Sequence, residues 1–414
     1  MGKFIIATIL TGIITGIFVV IYSLLTKLLN IVLFLGYSIE DIDKLPWWYL
    51  YLVPMISILI VNYLISKNNT LKEYGISEIA KAIEENKITF SIKDLFLKII
   101  ASSLSLASGF AVGNEGPSAA IGAMISQKIH NFFKLPKTLL RVSLSIGASS
   151  GIAAIFVSPI TAIMFAIENI AYEFVKNYAG YLMLASVVSF SIAYHFLESL
   201  VFNYSIGKFI EYRYIFATFI FIPVITIFIY LYLSLKDKVL QFLNEKFSKY
   251  RYKNIVFAIV GGGVIGSFLN FSPYAVFSGH ELVNNLINSE FELSFGVILI
   301  LILFRIVATA VSIYANAVGG IFIALMSIGA LVGYGFGELM VNFGIIVEPF
   351  YFSAIGAAVF MGVNMKLPLT AIVLALEITY DYNVIIPTGF SVVIVSYLAS
   401  LKFDIKKLSF KGKR

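Results

Sequence analysis

Cysteine is absent from this 414-residue chain, histidine occurs three times and tryptophan twice. Without thiols there can be no disulfide framework and no thiolate metal site. His130, His195 and His280 are isolated, with no metal-ligand spacing between them, so neither a metal nor another cofactor is expected. Charge is scarce too: Asp, Glu, Lys and Arg make up 13% of the residues. What fills the chain instead is apolar. Hydrophobic residues reach 59% and the mean hydropathy is +0.93, the composition of a polytopic membrane protein. Residues 4–25, 47–65, 214–235 and 296–313 approach or reach the ~20 residues that span a bilayer as a helix. Residues 99–112 and 351–363 are shorter and rich in Gly, Ala and Ser, as expected of re-entrant helices that line a cavity or lie inside protein. The first apolar run is too long for a cleavable signal and lacks a clean small-residue cleavage site.

The net charge of +7 is explained by where it sits. Residues 236–253 carry six basic side chains against two acidic ones, and 402–414 carry six against one. Both segments are expected on the cytoplasmic face of a cell membrane, C-terminus included. A nucleic-acid partner is not expected.

One stretch concentrates unusual residue types: Gly113-Asn114-Glu115-Gly116-Pro117. Pro117 suits the first turn of a helix, and the glycines leave bare backbone that something small can approach. The N-terminus of such a helix offers free N–H groups and a partial positive charge, which together make an anion site. Glu115 stands at that spot and is the first anion it would hold. The plainer role, a capping Glu at a loop-to-helix junction, is the alternative.

The chain also repeats itself. Pro159, Thr161, Ala162, Ile163, Ala166 and Glu168 recur as Pro368, Thr370, Ala371, Ile372, Ala375 and Glu377 at an offset of 209. Upstream, Gly113 and Ile121-Gly122-Ala123 recur as Gly320 and Ile328-Gly329-Ala330 at an offset of 207. The second copy of the Glu115 stretch is therefore Gly319-Gly320-Ile321-Phe322-Ile323-Ala324. Two half-molecules with glycine-interrupted segments at matching places point to a transporter-like site at the repeat interface. A single membrane domain is expected over residues 1–414, with repeat one at about 1–205, repeat two at about 214–401 and no C-terminal regulatory domain.

With these residues in view, the sequence resembles the CLC family of chloride channels and chloride/proton antiporters. GNEGP is similar to the family's G(R/K)EGP, GGIFIA to its GGxFxP, and EITYDYNVIIP to the segment that supplies its pore tyrosine. The resemblance runs from about residue 71 to 401. It implies an all-α fold of two inverted repeats of tilted and re-entrant helices, assembled as a homodimer in the lipid bilayer, with one anion pathway per subunit. It also implies a gating and proton-accepting role for Glu115. The amides of Gly113, Asn114 and Gly116 would line an outer anion position. Those of Ile321 and Phe322, with the Tyr382 hydroxyl, would hold a central one. Weak sites of this kind, with no fixed positive charge, let an anion leave again.

Several positions depart from the family pattern. Tyr74 takes the place of a central serine, Glu73 replaces a glycine, Asn114 replaces the basic residue of the first motif, and Ala324 replaces a proline. The inner proton-transfer glutamate of many exchangers aligns with Asn169, beside Glu168, so Glu73 and Glu168 are the alternative relay carboxylates and weak or absent proton coupling is expected. The expected activity is transport of chloride or a similar monovalent anion, with passive conduction and proton exchange both left open. A fluoride/proton antiporter is the alternative within the family. Two readings belong to other classes. Gly147-Ala148-Ser149-Ser150-Gly151 fits the G-x-S-x-G pattern of hydrolases, which needs a strand–turn–helix and a partner histidine. A sodium-coupled solute carrier would need charged substrate partners in both halves, which the sequence does not offer. Arg305 lies at membrane depth and is expected to be structural.

Overall fold

The computed structural model describes residues 2–68, 71, 91–169, 175–197, 212–247, 249–250, 252–288, 293–345 and 347–411. Among them are fifteen α-helices: α1 (Gly2–Leu33), α2 (Trp47–Lys67), α3 (Ile92–Ala107), α4 (Glu115–Phe132), α5 (Leu140–Phe156), α6 (Pro159–Asn169), α7 (Val175–Ala193), α8 (Tyr212–Phe247), α9 (Lys253–Phe271), α10 (His280–Ile287), α11 (Phe295–Tyr314), α12 (Phe322–Asn342), α13 (Pro349–Met365), α14 (Pro368–Thr379) and α15 (Ile385–Lys411). Eight helical stretches among the described residues are long and apolar enough to cross a membrane, and the shorter apolar helices include α6, α13 and α14. Long spans are thus interspersed with shorter apolar helices, among them Pro349–Met365, which covers the short run expected at 351–363. The fold is the all-α, inverted-repeat architecture expected.

The chain forms two compact units. One comprises Met1–Leu200, Val239–Gly279 and Val307–Ala324; the other comprises Val201–Lys238, His280–Ile306 and Leu325–Arg414. Neither unit coincides with one sequence repeat, because the repeats exchange segments.

Within the first unit, the two repeats meet about an approximate twofold axis. Gly113 N–H donates to Gly320 O at 2.7 Å and Gly320 N–H returns the bond to Gly113 O at 2.8 Å, an isolated antiparallel bridge. Around it the pairing repeats at the same offset. Ser312 Oγ accepts from Ala111 N–H at 2.9 Å, and Ser105 Oγ accepts from Val318 N–H at 3.0 Å. Each of those serines donates one turn back, to Ala308 O and Ala101 O. Gly109 (φ 101°) and Asn316 (φ 60°) turn the chain through the left-handed region at equivalent places, one a glycine and the other an asparagine, the residues that tolerate it best. Reciprocal antiparallel bonding of this kind requires the two copies to run in opposite directions, which is the physical content of an inverted repeat.

The helix ends also follow local rules. Ser91 opens α3 with a capping box: its Oγ accepts from Asp94 N–H at 3.0 Å, and Asp94 Oδ2 accepts from Ser91 N–H at 2.9 Å. Left-handed caps at Val157 and Lys366 end α5 and α13, at the 209 offset read from sequence.

The small-residue runs bring helices into backbone contact. A Cβ on Gly122 would strike Gly147 O, and a Cβ on Gly147 would strike Gly122 O, so α4 and α5 cross with no room for a side chain. In the second unit Gly329 and Gly356 do the same for α12 and α13. Gly147→Ala is expected to destabilise the protein by about 1–3 kcal/mol through overpacking. The measurement is the thermal denaturation midpoint in detergent, and an unchanged midpoint would show that the seam can part without penalty.

Candidate anion and proton site

Glu115 is the first residue of α4 and only 1% exposed. A buried carboxylate needs partners, since desolvating it alone is prohibitive, and here backbone amides supply them. Its Oε1 accepts from Phe322 N–H at 2.6 Å. The N–H groups of Glu115 itself and of Ile323 also bond the carboxylate. Phe322 and Ile323 are the first two residues of α12, so the side chain from the first repeat occupies the anion-binding N-terminus of the equivalent helix in the second. Its Oε2 has no hydrogen-bond partner among the described residues, and neither does the buried Oδ1 of Asn114.

Two glycines make the room. A Cβ on Gly113 or on Gly320 would collide with the Glu115 carboxylate. Both are needed because the antiparallel bridge holds the two backbones on either side of it. Behind the amide of Phe322 its ring stacks among others, with centroids 4.7 Å from Phe156 and 6.1 Å from Phe165. The floor of the site is therefore apolar and closed by aromatic rings. Tyr22, with its hydroxyl 2.7 Å from Ser102 Oγ, lies close enough to feel the Glu115 charge.

The other candidates fall at varied distances from this picture. The N–H of Gly113 is spent on Gly320 O, so this residue contributes space to the site. Gly116 is buried in the first turn of α4. Ile321 is half-buried beside Phe322. Tyr382 sits on a single 3-10 turn in the second unit and is 77% exposed. Glu168 is half-buried near the end of α6, which Asn169 closes. Tyr74 and Glu73 lie outside the described residues. Arg305 is fully buried in α11 and donates from Nε to Ser327 Oγ at 2.6 Å. Ser149 lies mid-helix in α5 with its Oγ 2.6 Å from Ser186 Oγ, and His130 bonds Ser143 instead. The strand–turn–helix that a G-x-S-x-G nucleophile requires is not there. Sequence reasoning missed Ile323, Tyr22 and Ser102. The first follows from counting amides at a helix start, whereas the pairing of Tyr22 with Ser102 joins positions 80 residues apart and leaves no local signal.

Comparison with known proteins gives one consistent answer. The family model described as voltage gated chloride channel matches residues 52–400. The chain is 25% identical over 336 residues to the H(+)/Cl(-) exchange transporter ClcA of Vibrio campbellii, covering 78% of this chain and 71% of that one. The protein of the same name from Salmonella paratyphi B is 27% identical over 327 residues, covering 76% and 67%. Among solved structures, a slow cyanobacterial Cl-/H+ antiporter superposes with a TM-score of 0.84 at 21% identity, over 96% of this chain and 94% of that one. A CLC-type fluoride/proton antiporter gives 0.76 at 18% identity, over 95% and 94%.

Proposed function

The chain belongs to the voltage gated chloride channel family, and from that premise we propose that it moves chloride past Glu115, whose carboxylate holds the pathway shut until a proton neutralises it. It is a multi-pass membrane protein and carries out CLC-type anion transport. The observation that supports the gate is the carboxylate itself, seated on the N–H groups that open α12. A chloride ion and the Glu115 side chain compete for one set of donors. Protonation removes the negative charge, weakens the hold of those amides and lets the anion take the place. Acidification therefore raises flux. The names of the two ClcA relatives support protons as the second substrate. Each subunit of a proposed homodimer carries a whole pathway gate, because Glu115, Gly113, Gly320, Phe322 and Ile323 all come from one chain. The C-terminus is placed in the cytoplasm on the strength of its basic residues.

The test is flux from proteoliposomes of the purified protein with chloride, nitrate or fluoride inside. Chloride efflux that accelerates with acidification supports the reading; fluoride moving while chloride does not would transfer it to the fluoride alternative. Tyr382 is assigned to the anion path as a hydroxyl donor on the resemblance of its segment to the family's pore-tyrosine segment alone. Tyr382→Phe is expected to weaken calorimetric chloride binding by about 1 kcal/mol, the worth of one hydrogen bond to a charge. Equal affinities in the two proteins would remove Tyr382 from the site.

A further inference from the structure

The backbone that carries the Glu115 donors is fastened by an amide from another helix of the first unit. Between α11 and α12 the chain turns at Asn316, passes through the Gly320 bridge and delivers the N–H groups of Phe322 and Ile323. Asn62 of α2 is buried and grips that turn from the side. Its Nδ2 donates to Ala315 O at 2.9 Å, and its Oδ1 accepts from Asn316 Nδ2 at 2.9 Å. The Nδ2 group also donates to Ile58 O, one turn back in α2, at 2.9 Å. Both amide protons of Asn62 are thus used and its oxygen is engaged as well. Asn316 stands at φ 60°, a left-handed conformation that asparagine tolerates. Beyond the grip, Ser105 Oγ holds Val318 N–H and Gly113 holds Gly320. Phe322 follows six positions after Asn316, so whatever fixes the turn also places the donor.

The other repeat shows that the packing does not need this amide. At the offset of 207, Gly109 is the counterpart of Asn316, and Leu269 of α9 is the counterpart of Asn62. Those two residues also meet. Leu269 is fully buried, with its Cδ1 3.3 Å from where a Cβ on Gly109 would stand. Equivalent helices therefore press equivalent residues onto equivalent turns, as leucine over glycine in one place and as an amide pair in the other. An apolar contact suffices to pack such a turn, whereas a buried amide is tolerated only when its polar atoms all find partners. The amide pair lies on the turn that leads to the Phe322 N–H, the donor to Glu115 Oε1. The leucine lies on the turn that leads to Glu115 itself. The polar version is found where the donors of the gate are.

We propose that Asn62 is a positioning residue for the gate: through Ala315 and Asn316 it holds the start of α12 where the Phe322 and Ile323 amides meet the Glu115 carboxylate. The assignment rests on the reading of Glu115 as the gate. A hydrogen bond weakens steeply as its donor leaves the preferred distance and angle. A donor fixed in advance stabilises the charge without reorganising. Released from α2, the segment from Ala315 to Phe322 keeps its bonds to Ser105 and Gly113, but the turn is free to rock about them and the amides follow. The ionised side chain is then held less tightly. Chloride displaces it more readily, and less acid is needed to open the pathway.

The test copies one repeat into the other. Asn62→Leu combined with Asn316→Gly gives the second turn the leucine-over-glycine contact that the first already has, so the protein is expected to fold. Chloride efflux from proteoliposomes is read between about pH 4.5 and 7.5. At neutral pH the double variant is expected to run about fivefold faster than the parent, with the pH of half-maximal efflux moved upward by about half a unit or more. Asn316→Gly alone keeps the bond from Asn62 to Ala315 O and is expected to fall between the two. It serves in place of the double variant, with the same outcomes deciding, if that protein does not fold. An amide that only supports the fold would lower the denaturation midpoint and leave the pH of half-maximal efflux unmoved; that result in the folded double variant overturns the proposal. Glu115→Gln separates the two readings. If its efflux still climbs with acid, the gate fails and the assignment of Asn62 fails with it. If it abolishes the pH dependence while the double variant keeps the parental profile, the gate stands and only Asn62 loses its role.

Discussion

Glu115→Gln is expected to transport chloride at neutral pH as fast as the parent does in acid, and to keep that rate at every pH. Glutamine is nearly isosteric with the protonated side chain and carries no charge, so it cannot compete with chloride for the amides of Phe322 and Ile323. The parent, with a single titrating carboxyl, is expected to gain flux as pH falls, at most about tenfold per unit. Proton movement against a chloride gradient is expected to disappear in the variant, because nothing at position 115 can carry the proton. Stopped-flow or electrode measurement of chloride efflux between about pH 4.5 and 7.5 covers the ordinary carboxyl range and the units above it. A variant whose efflux still climbs with acid as the parent's does would reduce Glu115 to a helix cap.

Gly320→Ala is expected to give much the same flux profile with the carboxylate still present. The new methyl group would occupy the space of the Glu115 carboxylate, and the backbone bridge to Gly113 leaves no slack on the opposite side. The side chain is then driven off the α12 amides at all pH values. Flux at neutral pH is expected to rise several-fold, with the pH dependence flattened by about the free energy of one charge-assisted hydrogen bond, roughly 1.5–3 kcal/mol. By the same argument Gly113→Ala acts from the other side of the bridge. Retention of parental gating in both variants would mean that the carboxylate does not rest between these two glycines. Because the chemistry at position 115 is unchanged, this pair tests position, whereas Glu115→Gln tests charge.

Much of the architecture could be read from residue order. Absence of cysteine, scarcity of charge and apolar runs of spanning length determine a multi-pass helical protein, because a bilayer admits little else. The recurrence of Pro159–Glu168 as Pro368–Glu377 determines a duplicated fold, since six identities at one spacing are a property of the string alone. GNEGP marks a carboxylate at a helix start for the same reason: a proline and two glycines act on their immediate neighbours. What the carboxylate touches is another matter. Its amide partner Phe322 lies 207 residues away, and only the antiparallel pairing of Gly113 with Gly320 brings Phe322 to the Glu115 side chain. The repeat offset shows that the two stretches are equivalent; it cannot show that one holds the side chain of the other. The same holds for Asn62 and Asn316, and for Tyr22 and Ser102. A hydroxyl on an apolar helix reads as an ordinary helix residue bonded to its own backbone until packing decides whether it is satisfied. Local chemistry is written in local sequence, whereas the contacts that turn a capped glutamate into the proposed gate depend on which backbones meet around it, and that is settled only when the two repeats pack together.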